Sequence, residues 1–290
     1  MAWRLGPAVF IAAVAALAGG CALVEPAASR KPLLAQSKPA PDSVTLEVFL
    51  ATVSGGKATV DALWNEVDEQ NFSADLRREL ALNGFRIGLV GSHIPIPLAR
   101  LLMLTDKPVP KDGMIDVTAE QPKVSLRVLQ LRAGHPAEIQ PLEHVYDQLP
   151  LLMREDGQLR GRTYYKAEGR LALRAYPEPD GKIRVELTPE LEHGEQHQRW
   201  VGNDGIMRLD AARPKRVFEQ LALTARLAPG EFLIMTNLNE RSGTAGHYFF
   251  SQGAAADQPE QKILAIRAAQ AVADSRFKVD EPKQLDLDIE

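Results

Sequence analysis

The chain has 290 residues, 45% of them hydrophobic, 25% charged and 6% aromatic, with 34 basic against 38 acidic side chains and a net charge of −4. That apolar fraction is too high for a disordered chain and too evenly spread for a multi-span membrane protein. The weakly acidic balance excludes a nucleic-acid partner drawn in by bulk charge, because phosphate binding needs a basic field.

Residues 1–24 carry one charge, Arg4, followed by an uncharged run from Leu5 to Val24 rich in Ala, Val and Leu. A charged start, an apolar stretch and small residues after it are the parts of a secretory signal. Within it, Leu17-Ala18-Gly19-Gly20-Cys21 resembles the bacterial lipobox, with Ala18 standing where that motif usually has Leu. The resemblance implies cleavage after residue 20, lipidation of Cys21 and a membrane partner reached through the lipid. Two other fates fit the same residues. Ala16-Leu17-Ala18 matches the small-x-small rule of ordinary signal peptidase, and an uncharged run of 20 residues is long enough for an uncleaved anchor. Cys21 is the one cysteine of the chain and sits where a lipobox wants it. All three fates place the body in the cell envelope or beyond, facing the periplasm or the exterior, and none leaves a second thiol for a disulfide.

Residues 21–42 lack periodicity and are rich in Ala, Pro and Ser, which predicts a lipid-anchored disordered tether. Twenty such residues span about 60–70 Å when extended. The body follows, and its pattern predicts an α+β fold dominated by antiparallel hairpins. VTLEVFLATV (44–53) is a β-branched strand. Val60, Leu63, Trp64 and Val67 fall on one helix face. Ser73 caps a second helix with Asp75 in its first turn, Asn83-Gly84 stops it, and FRIGLV (85–90) is a strand. Together these predict a β-α-α-β unit over residues 43–112, in which 98–104 forms a short helix after Pro95 and Pro97.

A β-rich domain is expected over 113–270. KVSLRVLQLR (123–132) puts Val124, Leu126, Val128 and Gln130 on one side. In 170–191 a three-residue loop, Pro179-Asp180-Gly181, opposes Leu173 to Leu187 and Ala175 to Val185, keeping one apolar face with Gly181 left-handed. A second hairpin is predicted over 221–238, turning at Pro229-Gly230 and pairing Leu227 with Phe232 and Ala225 with Ile234. GHYFF (246–250) reads as a strand, and QKILAIRAA (261–269) as a strand or a helix. The acidic tail, 271–290, is expected to fray.

The order KIRVELTPELEHG, RLDAARPKRVFEQLALTARLAPGEFLIMTNL, QKILAIRA resembles the C-terminal β core of bacterial secretins, the outer-membrane channels of secretion and pilus systems. VTLEVFLATV is similar to the strand that opens that domain, and RRELALNGFRIGLV is like half of a ring-building domain. The likeness covers about a third of the chain. Between Leu238 and Gln261 the secretin linker V-P-x-L-G-D-I-P is missing, and long alternating strands to line a pore are absent. What the resemblance implies is a secretin-like fold without the channel, in a protein that docks or assembles in the envelope. The whole sequence also resembles envelope lipoproteins of planctomycete-type bacteria, which implies an address and no chemistry.

The sequence has no Gly-x-Ser-x-Gly elbow, phosphate loop, dinucleotide glycine fingerprint or His-Glu-x-x-His helix. No cofactor is implied. The histidines are scattered except around Glu190, Glu192, His193, Glu195 and His197. If that stretch is extended, His193, Glu195 and His197 share a face and could meet a divalent metal or serve an extracytoplasmic hydrolase; the plainer reading is a solvated strand end. Arg208, Arg213, Lys215 and Arg216 form a local basic patch, either a solvated loop or a contact for anionic lipid head groups. The expected role is therefore a non-catalytic envelope component that binds a protein partner through sheet edges.

Overall fold

A computed structural model describes residues 42–54, 57–104, 123–155, 157–203, 206–252 and 260–272. Cys21, residues 21–41 of the tether and residues 273–290 of the tail lie outside these residues, whereas Ala271 and Val272, expected to fray, are paired in the last strand of the sheet. The described residues all fall within one compact unit.

Two antiparallel sheets face each other. The inner sheet runs β2 (Phe85–Val90), β12 (Phe232–Asn237), β14 (Glu260–Val272), β1 (Ser43–Ser54), β3 (Lys123–Arg132), with the short β13 (Ser251–Gln252) beside the start of β14. The outer sheet centres on β6 (Gln158–Pro177) and β7 (Ile183–Glu192). On the far side of β6 lie β4 (Ala137–Ile139) and β5 (Tyr146–Glu155); on the far side of β7 lie β10 (Lys215–Val217) and β11 (Leu223–Leu227). A separate two-stranded ribbon joins β8 (His197–Asn203) to β9 (Ile206–Ala212).

The alternation in the sequence explains which faces meet. Leu171, Leu173 and Ala175 of β6 and Ile183, Val185 and Leu187 of β7 are buried in one cluster with Val44, Leu46, Val48, Leu264 and Ile266 of the inner sheet. Period-2 burial of this kind belongs to a sheet with one dry face. The inner sheet differs because both of its faces are covered. Its second face carries Phe49, Ala51, Val53, Phe232, Ile234, Ile263 and Ala265, packed beneath helix α1 (Lys57–Trp64) and helix α3 (Ile96–Leu101) through Val60, Leu63, Trp64, Leu98 and Leu101. Each buried Leu, Ile or Phe contributes roughly 1.5–3 kcal/mol of transfer free energy. Among the described residues, no helix is long and apolar enough to cross a membrane.

Several expectations hold at residue resolution. Helix α2 (Ala74–Leu82) starts at Ser73, whose hydroxyl accepts from the Leu76 N–H at 3.3 Å, and ends at Asn83 with Gly84 at φ 84°. The β6–β7 register opposes Leu173 to Leu187 and Ala175 to Val185, and Gly181 is left-handed at φ 83°. Residues 261–269 are strand, and Val124, Leu126 and Val128 share one face of β3. Strands from either side of residue 113 share the inner sheet, so β1 and β2 are not paired with each other but are joined through β14 and β12.

Two expectations are corrected. Residues 221–238 are not a hairpin: β11 pairs with β7, whereas β12 crosses to the inner sheet between β2 and β14. The physical reason lies in the burial. β11 alternates buried and exposed residues, which suits an edge with one wet face, while all six residues of β12 are buried and need a central place covered on both sides. Residues 246–250 are also not a strand but part of helix α4 (Ala245–Phe250). Phe249 and Phe250 both enter the same core cluster, edge-on to Phe85 at 5.6 and 6.2 Å. Adjacent strand residues would point to opposite faces, whereas neighbouring helix positions can reach one cluster.

Candidate functional site

His193, Glu195 and His197 do not converge. The extended geometry needed to align them is broken at Gly194, which is left-handed at φ 74° between the end of β7 and the start of β8. His193 lies against the Tyr164 ring at 4.9 Å between centroids, and its backbone N–H donates to the Pro214 carbonyl at 3.0 Å. Burial, together with the charges of Arg162 and Arg213, holds its imidazole below its usual pKa. Glu195 instead pairs with Lys166. Among the described residues, no group of three or more His, Cys, Asp or Glu side chains is placed to hold a metal ion.

Three cations of the basic patch, Arg213, Lys215 and Arg216, are spent within the fold, and the Arg208 side chain lies outside the described residues. Arg213 donates to a Glu168 carboxylate oxygen at 3.1 Å and to the Gly194 carbonyl at 3.2 Å. Lys215 Nζ lies 2.5 Å from Glu138, 3.2 Å from Glu190 and 3.4 Å from Glu192, and Arg216 bonds Glu155 at 2.9 Å. At the centre, Arg170 reaches Glu138 at 2.6 Å, Glu168 at 2.8 Å and Glu192 at 3.1 Å. The arrangement follows from register: Glu168 opposes Glu192, Arg170 opposes Glu190 and Lys215 opposes Glu192 across three adjacent strands. Burial pushes Glu138 and Glu168 upward, but bonds from Lys215 and Arg170 to Glu138, and from Arg170 to Glu168, outweigh it and leave both carboxyls below their ordinary pKa. Ionised carboxylates held by cations cannot act as a general acid near neutral pH. This ladder is a clasp across the outer face of the sheet.

A cleft of about 100 Å³ lies among Glu69, Arg77, Leu80, Phe85, Arg86 and Leu238. Ligand pockets usually run to roughly 300–1,000 Å³. Arg86 is already held by Glu69 at 2.5 Å and lies 4.2 Å over the Trp64 ring, so the cleft suits a few waters rather than a carried ligand.

The sheet edges are unequal. At β2, Asp68 closes the edge as an antiparallel bridge, exchanging N–H and C=O bonds with Leu89 at 2.8 Å each. At β5, the Asn83 side chain acts as a substitute strand: the Arg154 N–H donates to Asn83 Oδ1 at 2.8 Å, and Asn83 Nδ2 donates to the Arg154 carbonyl at 3.2 Å. Nearby, Leu152 N–H donates to the Gly243 carbonyl at 2.8 Å and the Tyr248 hydroxyl to the Pro150 carbonyl at 3.1 Å. β10 and β11 are short edges carrying Lys215, Arg216 and Arg226, a common guard against strand addition.

β3 is different. It is 10 residues long, has no proline and pairs only with β1 among the described strands. Leu126 opposes Phe49 and Val124 opposes Ala51, so their shared face continues the helix-covered side of the inner sheet. Yet Leu126 is 53% and Val128 57% exposed. Lys123, Arg127 and Arg132 supply its charge, and no acidic residue lies in the strand. Arg127 is met by Glu143 at 3.5 Å, an exposed pair of little energetic weight. A long, flat, apolar edge is a template for another strand. The alternation that marks β3 was visible in the sequence; its place at the rim was not.

No family model and no curated protein matches the chain. Among solved structures, the chain pairs with the secretin InvG of the Salmonella SPI-1 injectisome: the secretin-domain β-barrel structure shows 10% identity and a TM-score of 0.23, over 86% of this chain and 66% of that one. A near-atomic structure of the same type III secretion secretin gives 10% identity and 0.24 over 86% and 68%, and an atomic model of the basal-body proteins InvG, PrgH and PrgK gives 10% and 0.24 over 86% and 48%. The chain thus spans about two thirds of the secretin-domain structure. The likeness to secretins is weak at the level of structure, and scores of this size do not establish a common fold.

Proposed function

We propose that this chain is a non-catalytic binding or assembly component of the cell envelope, tethered through a lipidated Cys21, that docks an extended segment of a partner protein onto β3. The observation that carries the reading is the contrast among edges: β2 and β5 are closed by Asp68 and Asn83, while β3 has no partner on its outer side among the described residues and leaves Leu126 and Val128 exposed. Strand addition gives affinity through main-chain hydrogen bonds and specificity through alternate side chains. The basic strand selects a partner segment that alternates apolar and acidic residues. Histidines that do not converge and carboxylates neutralised by cations support a role without catalysis over a hydrolase. A link to a secretion or pilus system is supported by the strand pattern alone.

The test replaces the apolar rim. Leu126→Lys with Val128→Lys, both at exposed positions, should leave thermal stability within about 0.5 kcal/mol per site. Photo-crosslinks from a probe at Gln130 to the native partner should fall at least tenfold. An unchanged crosslinking pattern with both lysines in place would remove β3 as the docking site. Address is tested separately: radiolabelled palmitate should enter the wild-type protein and not Cys21→Ser, and equal labelling of neither would end the lipid anchor.

A further inference from the structure

The sequence beyond β14 contains a segment built to match the open edge. Residues 285–290 read Leu-Asp-Leu-Asp-Ile-Glu, a strict alternation of apolar and acidic side chains. We propose that in the free protein this segment of the same chain adds to β3 as an antiparallel strand and covers its edge until a partner displaces it. The proposal rests on the docking role assigned to β3 above.

Direction, reach and chemistry agree. β14 ends at Val272, which opposes Ser43, and Ser43 in turn opposes Arg132. The chain therefore leaves the sheet at the Arg132 end of β3. A strand entering there and running back toward Lys123 is antiparallel to β3. Its distance from β14 is three strand spacings, about 14 Å. Residues 273–284 supply 12 residues of connection, with a span of up to about 40 Å. A turn and a crossing fit within that length.

Register follows from the pleat. Setting Leu287 opposite Leu126 puts Leu285 opposite Val128 and Ile289 opposite Val124, so all three apolar residues lie on the exposed apolar face of β3. The same register sets Asp286 opposite Arg127 and Glu290 opposite Lys123 on the other face. Directly opposed unlike charges and apolar pairs are the stabilising unit of a sheet. Glu143, already near Arg127, is 82% exposed in its side chain and can turn to water. A second copy of β3 fits this edge less well. Centred antiparallel pairing of two β3 strands would set Lys123 against Arg132 at both ends, opposing like charges.

Two measurements on the full chain decide it. Leu126→Cys with Leu287→Cys, in a Cys21→Ser background, should form a disulfide within one chain under mild oxidation, while Leu126→Cys with Asp286→Cys should crosslink at least fivefold less. Hydrogen exchange at the outward-facing amides of β3 should speed up about tenfold in Leu287→Asp or Arg127→Glu, and Arg127→Glu with Asp286→Arg should restore slow exchange. Exchange that is identical in wild type and Leu287→Asp overturns the proposal. A disulfide found only between two chains, or protection that rises with protein concentration, also overturns it in favour of a second copy's tail. Partner crosslinking through Gln130 should increase severalfold in Leu287→Asp. If it increases without any change in free-protein exchange, the tail proposal fails while the docking role stands; slow exchange that needs the tail, with no partner lost from the lysine-bearing rim, does the reverse.

Discussion

Phe85→Ala is expected to lower the stability of the protein by about 4 kcal/mol, the upper range for deleting a buried aromatic side chain. Phe85 opens β2 and is fully buried. Its ring meets Phe249 edge-on at 5.6 Å and 82°, and Phe250 at 6.2 Å and 89°, so it packs α4 against the start of β2. Relaxation cannot fill the gap, because the backbone on the other side is already in contact: a Cβ on Gly246 would come within 2.0 Å of the Gly84 carbonyl oxygen. The loss should appear as a lower midpoint in urea with an unchanged slope. Amides near residues 150–154 should also exchange faster, because Asn83, which bonds Arg154, sits two residues before Phe85. A loss below 1 kcal/mol would mean that α4 is not anchored in this way.

Arg170→Met is expected to cost about 2–3 kcal/mol at pH 7, less than a fully buried pair because the arginine remains partly exposed. Glu168 and Glu192 oppose each other in register and are nearly buried, so the guanidinium is what makes that juxtaposition tolerable. In the wild type the carboxyls of Glu138 and Glu168 lie below their ordinary pKa. Their contribution is therefore present above the unfolded carboxyl pKa of about 4.3 and is lost as pH falls through the lower folded value. In Arg170→Met the burial that raises the Glu168 pKa loses its main opponent and only the weaker hold of Arg213 remains, so Glu168 protonates at a higher pH than in the wild type. Protonation then relieves the variant, and the gap between variant and wild type should narrow as pH drops from 7.5 toward 5. Adding Glu168→Gln to Arg170→Met should recover part of the loss at pH 7. A gap that stays constant between pH 7.5 and 4.5 would show that Arg170 acts through packing alone.

Much of the local structure was legible. The Ser73 cap, the Gly84 stop and the Pro179-Asp180-Gly181 loop each follow from backbone chemistry within a few residues, and each stands where the sequence places it. Two more hairpins carry an equally legible signal. β5 and β6 close at Glu155 opposite Gln158 across Asp156-Gly157, and β8 and β9 close at Asn203 opposite Ile206 across Asp204-Gly205. Asp-Gly between alternating runs is a strong short-range hairpin signal. The contrast between alternating LTARL and uniformly apolar FLIMTN also held the information that separates β11 from β12, although adjacency in the chain suggested a hairpin.

The candidate site divides in the same way. By itself the sequence determined which side chains share a face of each strand, where the chain turns and which charges it carries, because these depend on a period of two and on the conformations open to glycine and proline. The tertiary structure alone decided that Asp68 and Asn83 close two edges, that Arg170 and Lys215 are consumed by carboxylates from other strands, and that β3 stands at the rim with its leucine and valine in water. Those outcomes depend on which strands become neighbours, and neighbours are chosen by burying the faces of the whole molecule at once.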